Sequence, residues 1–126
     1  MDRKIARAAF LAGFLVAPSV ILAGAGLDGT EWTVSSKNNP GKPDTLAFEN
    51  GKFTSSQSHA SGFQASSYES EARPDQITWT TTQVNTKGET MEWSGARKDD
   101  DMTGLYTFTS VDGETVSLHW TAKKSK

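Results

Sequence analysis

Three sets of side chains in this sequence could do chemistry. The run Lys98-Asp99-Asp100-Asp101-Met102-Thr103-Gly104 concentrates three carboxylates, the ligand type that calcium gathers in sets of about six to eight oxygens. It lacks the glycine and the closing glutamate of an EF-hand loop, so it reads as an acidic hairpin tip. His59 and His119 fall on separate stretches and the chain has no cysteine, which makes a poor zinc or copper set. Serines are abundant, but there is no Gly-x-Ser-x-Gly elbow, and spacing ties no serine to a histidine and a carboxylate. The glycine patterns of phosphate and dinucleotide loops are missing as well. Glu69 with Glu71, and Glu89 with Glu92, sit where solvated strand faces would put them. The expectation is a protein that is not an enzyme and that has no cofactor and no metal.

The aromatic residues and one arginine are a better lead. Phe53, Phe63, Tyr68, Trp79, Trp93 and Tyr106 are large rings scattered among threonines and serines. If they face one enclosed space, that space binds apolar matter. Arg97 shares the alternation of Met91, Trp93 and Gly95, so it ends its strand on the same face. A guanidinium at the mouth of such a space would hold a ligand carboxylate through paired hydrogen bonds. It could equally lay its stem on an apolar rim and leave its head in water.

The elements that position these residues are strands. Of the 101 residues after position 25, 28 are serine or threonine, set between large apolar residues rather than in blocks. β-Branched threonine suits the solvent side of a strand, so the spacing reads as half-buried sheet, and no window has helical periodicity. Strands are predicted over 30–37, 44–49, 52–58, 66–73, 76–84, 89–98, 102–110 and 114–123. Asn50-Gly51, inside "TLAFENGKFTSS", marks a hairpin with a two-residue type I′ turn, whose central residues both need positive φ. That turn sets Phe48 against Phe53. Face parity sets Trp79 opposite Trp93, Gly95 opposite Tyr106 and Trp93 opposite Phe108. A three-residue loop with Gly113 left-handed pairs Phe108 with Val116 and Tyr106 with Leu118. The stretch "SHASGFQ", 58–64, is the one connection without turn chemistry.

The inward set is then Trp32, Val34, Leu46, Phe48, Phe53, Tyr68, Ile77, Trp79, Met91, Trp93, Tyr106, Phe108, Val116, Leu118 and Trp120. Consecutive hairpins with one apolar face and no covering helix must form a sandwich or close on themselves, and meander connectivity favours closure, which removes exposed edges. The expected fold is all-β: an eight-stranded antiparallel up-and-down (meander) barrel. Eight strands enclose a space that side chains just fill or that holds one small ligand, and the sequence leaves both open.

The chain begins with the pattern of an export signal. Arg3, Lys4 and Arg7 precede an uncharged run from Ala8 to Ala23, and Ala23-Gly24-Ala25 offers small residues for cleavage. The apolar run is shorter than the roughly 20 residues that span a bilayer, and Pro18 interrupts it. The expected division is a signal peptide, 1–25, and a single β-barrel domain, 26–126, periplasmic or secreted, with no membrane insertion after cleavage. That domain keeps ten basic and fourteen acidic residues, a balance that argues against nucleic acid and anionic membrane as partners. Without cysteine it is stabilised by packing alone.

"LDGTEW", residues 27–32, opens the first strand with Gly29 and Trp32 and resembles the lipocalin and avidin (calycin-type) superfamily. That family's first strand begins with a glycine and a tryptophan separated by one residue; here two, Thr30 and Glu31, intervene. The resemblance implies a lipocalin-like barrel in which the tryptophan closes one end beneath a basic residue near the last strand, here Lys123 or Lys124. The wording "LDGTEW…F.NGKF" is also similar to a group of small exported bacterial proteins of uncharacterised function. Two functions are expected. One is non-catalytic binding of an apolar or amphipathic small molecule in the aromatic-lined interior, with 58–64 as a lid and Arg97 orienting an acidic head group. The other is a solid barrel acting by protein–protein contact, such as an inhibitor of a secreted hydrolase, through 35–44 or 58–64.

Overall fold

The structure, a computed structural model, describes residues 26–35 and 43–126. The expected signal peptide and most of the 35–44 connection lie outside them. Eight strands follow one another around a closed barrel: β1 (Thr30–Ser35), β2 (Asp44–Glu49), β3 (Lys52–Ser55), β4 (Ser66–Ala72), β5 (Ile77–Val84), β6 (Thr90–Lys98), β7 (Asp101–Thr109) and β8 (Thr115–Lys124). Each pairs antiparallel with its neighbour in sequence, and β8 returns to β1 with Val34 opposite Ala122. The order is the predicted meander.

Turn chemistry fixes the hairpins as the sequence predicts. Asn50 and Gly51 have φ of 54° and 76°, and Phe48 lies opposite Phe53. Gly113, at φ 88°, closes the loop that pairs Phe108 with Val116 and Tyr106 with Leu118.

Two registers differ by two residues from those expected. Trp79 lies opposite Gly95 rather than Trp93, and Trp93 opposite Tyr106 rather than Phe108. Gly95 itself faces Gly104. Parity is unchanged, so both indoles remain inside, but a glycine pair now faces the bulkiest rings. A Cβ on Gly95 would stand 2.6 Å from Nε1 of Trp79, and one on Gly104 would collide with the Trp120 ring. Close packing of these indoles against bare backbone selects this register.

The third strand is shorter than predicted. After Ser55 the chain turns into α1 (Ser56–Ala60), capped by the Ser55 hydroxyl, which accepts from the Ser58 amide at 3.1 Å. A hydroxyl that satisfies a free helix N–H offers the backbone an alternative to the sheet ladder. Consequently β3 and β4 share only two paired positions, and the segment after α1 folds over that end of the barrel.

Candidate functional site

Much of the interior is filled by side chains. Phe53, Tyr68, Trp79 and Trp93 are all buried and in ring-to-ring contact. Phe53 lies 5.0 Å from Trp79 and 5.1 Å from Trp93 between centroids, and Phe48 lies 5.0 Å from Tyr68. Trp120 completes the group at 6.1 Å from Trp79. Each ring buried stabilises the fold by roughly 1.5–3 kcal/mol, as a domain without disulfides requires. Leu27, Met102 and Ala122, which the sequence reading left out of the inward set, are also in this core.

One end of the barrel is sealed by its own chain. Leu27 is fully buried there beside Trp32. The Asp28 carboxylate accepts from the Gly51 amide at 3.0 Å and from the Tyr68 hydroxyl at 2.5 Å. Burial and this carboxylate push the Tyr68 phenol above its ordinary pKa. Arg97 stands at this sealed end, its guanidinium carbon 5.2 Å from the centre of the Trp32 ring. It donates to the carbonyls of Gly26 and Asp99. The basic residue over the tryptophan is thus Arg97 of β6, not Lys123 or Lys124 of β8. It is also far from the other end, where the remaining ring residues gather. A shallow cleft of about 380 Å³ opens beside Arg97, lined by Arg73, Asp75, Lys98 and Asp99 among others.

Among the described residues, the opposite end is the open one. Along β6, β7 and β8 the inward positions at this end are Met91, Tyr106, Phe108, Val116 and Leu118. Met91, Tyr106 and Phe108 are half-buried, while Val116 is 53% and Leu118 38% exposed. The last β1–β8 pair is Ser35 with Thr121, so among the described residues no strand flanks 116–118 on the β1 side. Phe63 packs edge-on against Phe108, 6.4 Å between centroids, and roofs one flank of this apolar crescent.

A polar network stands opposite. Asp44 shares the inward parity of Leu46 and Phe48 and accepts from Ser55 Oγ at 2.7 Å, Ser56 Oγ at 3.1 Å and the Gln57 amide at 3.1 Å. Gln83, fully buried, accepts from Trp93 Nε1 at 2.9 Å and Ser58 Oγ at 3.0 Å and donates to the Gln64 carbonyl at 2.9 Å. Asn85 donates to Glu89 at 2.9 Å. Burial first, and the Asp44 charge second, raise the Tyr106 phenol above its ordinary pKa. The 58–64 segment, expected as a lid, is thus pinned at Ser58 and roofed by buried Phe63. Asp44 and Gln83 escaped the sequence reading, although each carries a polar side chain at an inward position, which was the available signal.

Outside the barrel, a shallow and mostly apolar groove of about 530 Å³ crosses β5 to β8 over Gly95 and Gly104, edged by Thr80, Ala96, Leu105 and His119. The acidic tip is engaged otherwise: Asp101 pairs with Lys123. Among the described residues no three His, Cys, Asp or Glu side chains gather as a metal site. No protein family, curated protein or solved structure matches this chain.

Proposed function

We propose that this protein is an exported, non-catalytic binding barrel of lipocalin-like type that takes an apolar or amphipathic small molecule at its open end. The observation that carries this reading is the exposure of Val116 and Leu118. Their register turns them inward, beside half-buried Phe108 and Tyr106, yet water reaches them. Small apolar side chains around a concavity are the usual lining of ligand sites. The tryptophan under an arginine at the sealed end supports the lipocalin-like assignment.

Tryptophan fluorescence tests the reading directly, because Trp93 lies against Tyr106, 5.1 Å between ring centroids, and reports on the open end. Titration with single-chain lipophiles should give a saturable change in the native protein and none in Leu118→Arg. A flat response to every lipophile would end the small-molecule reading. The outer groove over Gly95 and Gly104, broad and shallow, would then favour the second reading, a solid barrel that works by protein contact.

A further inference from the structure

The apolar crescent is only half of the open end, and the other half is charged. Asp44 projects inward from the first position of β2, half-buried. Its oxygens accept from two serine hydroxyls and one backbone amide. All three donors are neutral, so they fix the carboxylate in place without cancelling its charge. Among the described residues no lysine or arginine pairs with it. Glu89, half-buried on the neighbouring loop, accepts from the neutral Asn85 side chain, and among the described residues no cation pairs with it. The other charges on the described part of this rim are Asp112 and Glu114 against Lys87, with His59 on α1. The strongly basic side chain near the interior, Arg97, is at the sealed end. Counted over the described residues, with Lys37 and Lys42 of the 36–42 connection lying outside them, the charge at the open end is therefore negative, and Tyr106 presents its ring near the fixed carboxylate.

On this basis, and resting on the small-molecule reading above, we propose that the ligand is an amphipathic organic cation: its apolar body lies on Val116, Leu118 and Phe108, and its ammonium group faces the Asp44 carboxylate. A cation beside a carboxylate and aromatic faces gains from both, whereas an anionic head group would meet repulsion from Asp44 and Glu89. Lipophiles bearing a carboxylate, the class that an arginine would have recruited, are disfavoured. A quaternary ammonium suits the site because it interacts through charge and apolar contact and needs no hydrogen bond to the carboxylate.

The test uses probes that share one dodecyl chain and differ only in head group: dodecyltrimethylammonium, dodecanol and dodecanoate, each below its micellar concentration, titrated into the protein at low salt. The cation should bind roughly tenfold or more tighter than the alcohol, and the carboxylate weakest. Added salt should narrow this order. Asp44→Asn, which keeps an acceptor for Ser55 and Ser56, should remove most of the cation's advantage and leave the alcohol unchanged. Glu89→Gln should remove a smaller part, and provides a second variant should Asp44→Asn fold poorly. Equal or tighter binding of the alcohol or carboxylate would overturn the cation assignment and leave the binding reading standing. Silence from all three probes would overturn both.

Discussion

Tyr68 shows how one hydroxyl couples three parts of the chain. It comes from β4, donates to Asp28 ahead of β1, and that carboxylate also holds the Gly51 amide in the β2–β3 turn. Tyr68→Phe should cost about 1.5–3 kcal/mol, the range for a hydrogen bond to a charged group, read as a lower urea midpoint with unchanged slope. The pH dependence has a definite sign. Both Tyr68 and Tyr106 keep their protons to higher pH when folded than when unfolded. Above about pH 10, where unfolded tyrosine ionises, the folded state therefore binds more protons, and stability falls as pH rises. Tyr68→Phe should lessen that alkaline loss, measured as the slope of stability against pH. Gly95→Ala is the complementary test of packing. Its methyl would enter the space of the Trp79 indole, for an expected loss of about 1–3 kcal/mol. At this scale the sequence was only partly legible. Parity told which face Trp79 and Trp93 occupy, but a shift of two residues leaves parity intact, so their partners were not readable.

Among the elements, hairpins were the most readable, because Asn50-Gly51 and Gly113 need backbone conformations that few residues adopt. The helix α1 was not readable. Five residues are too few to show a period, and its cue is only a serine cap in a chain full of serines. What holds it is tertiary: Ser58 and the Gln64 carbonyl meet Gln83, deep in the barrel. Gln83→Ala would strand the Trp93 indole N–H and the Ser58 hydroxyl. Each buried group left without a partner costs about 1–3 kcal/mol. The expected result is a destabilised barrel with faster hydrogen exchange over 56–64 than over β5 to β8. Uniform acceleration everywhere would mean that α1 opens only when the whole barrel does. Exposure of Val116 and Leu118 belongs to this scale too. Alternation assigned them to the inside correctly, but how much of an inward side chain stays exposed depends on what packs across the barrel, which no local pattern states.

For the molecule as a whole, the two ends have separate duties. The sealed end joins Arg97, Trp32, Leu27 and the Asp28 carboxylate in one plug, and the open end holds the apolar crescent and Asp44. Distant sites without shared partners contribute independently. Arg97→Ala should therefore lower stability by about 1–2 kcal/mol, from lost hydrogen bonds and cation–π contact, while leaving lipophile affinity at the open end unchanged. A parallel fall in affinity, seen in the same fluorescence titration, would show that the ends communicate. Closure of the barrel was legible from meander order and the lack of a covering helix. The division into a plug and an opening was not, since it depends on which loops lie at which end.

That polarity has a practical corollary. Gly26 is held by Arg97 at the plug, and Ser125 and Lys126 are bonded to Glu31 just beside it. Gly26 and Lys126 thus lie at the same pole of the barrel. A fluorophore or surface linker attached beside either residue would anchor the cylinder by its base and point the rim toward the medium.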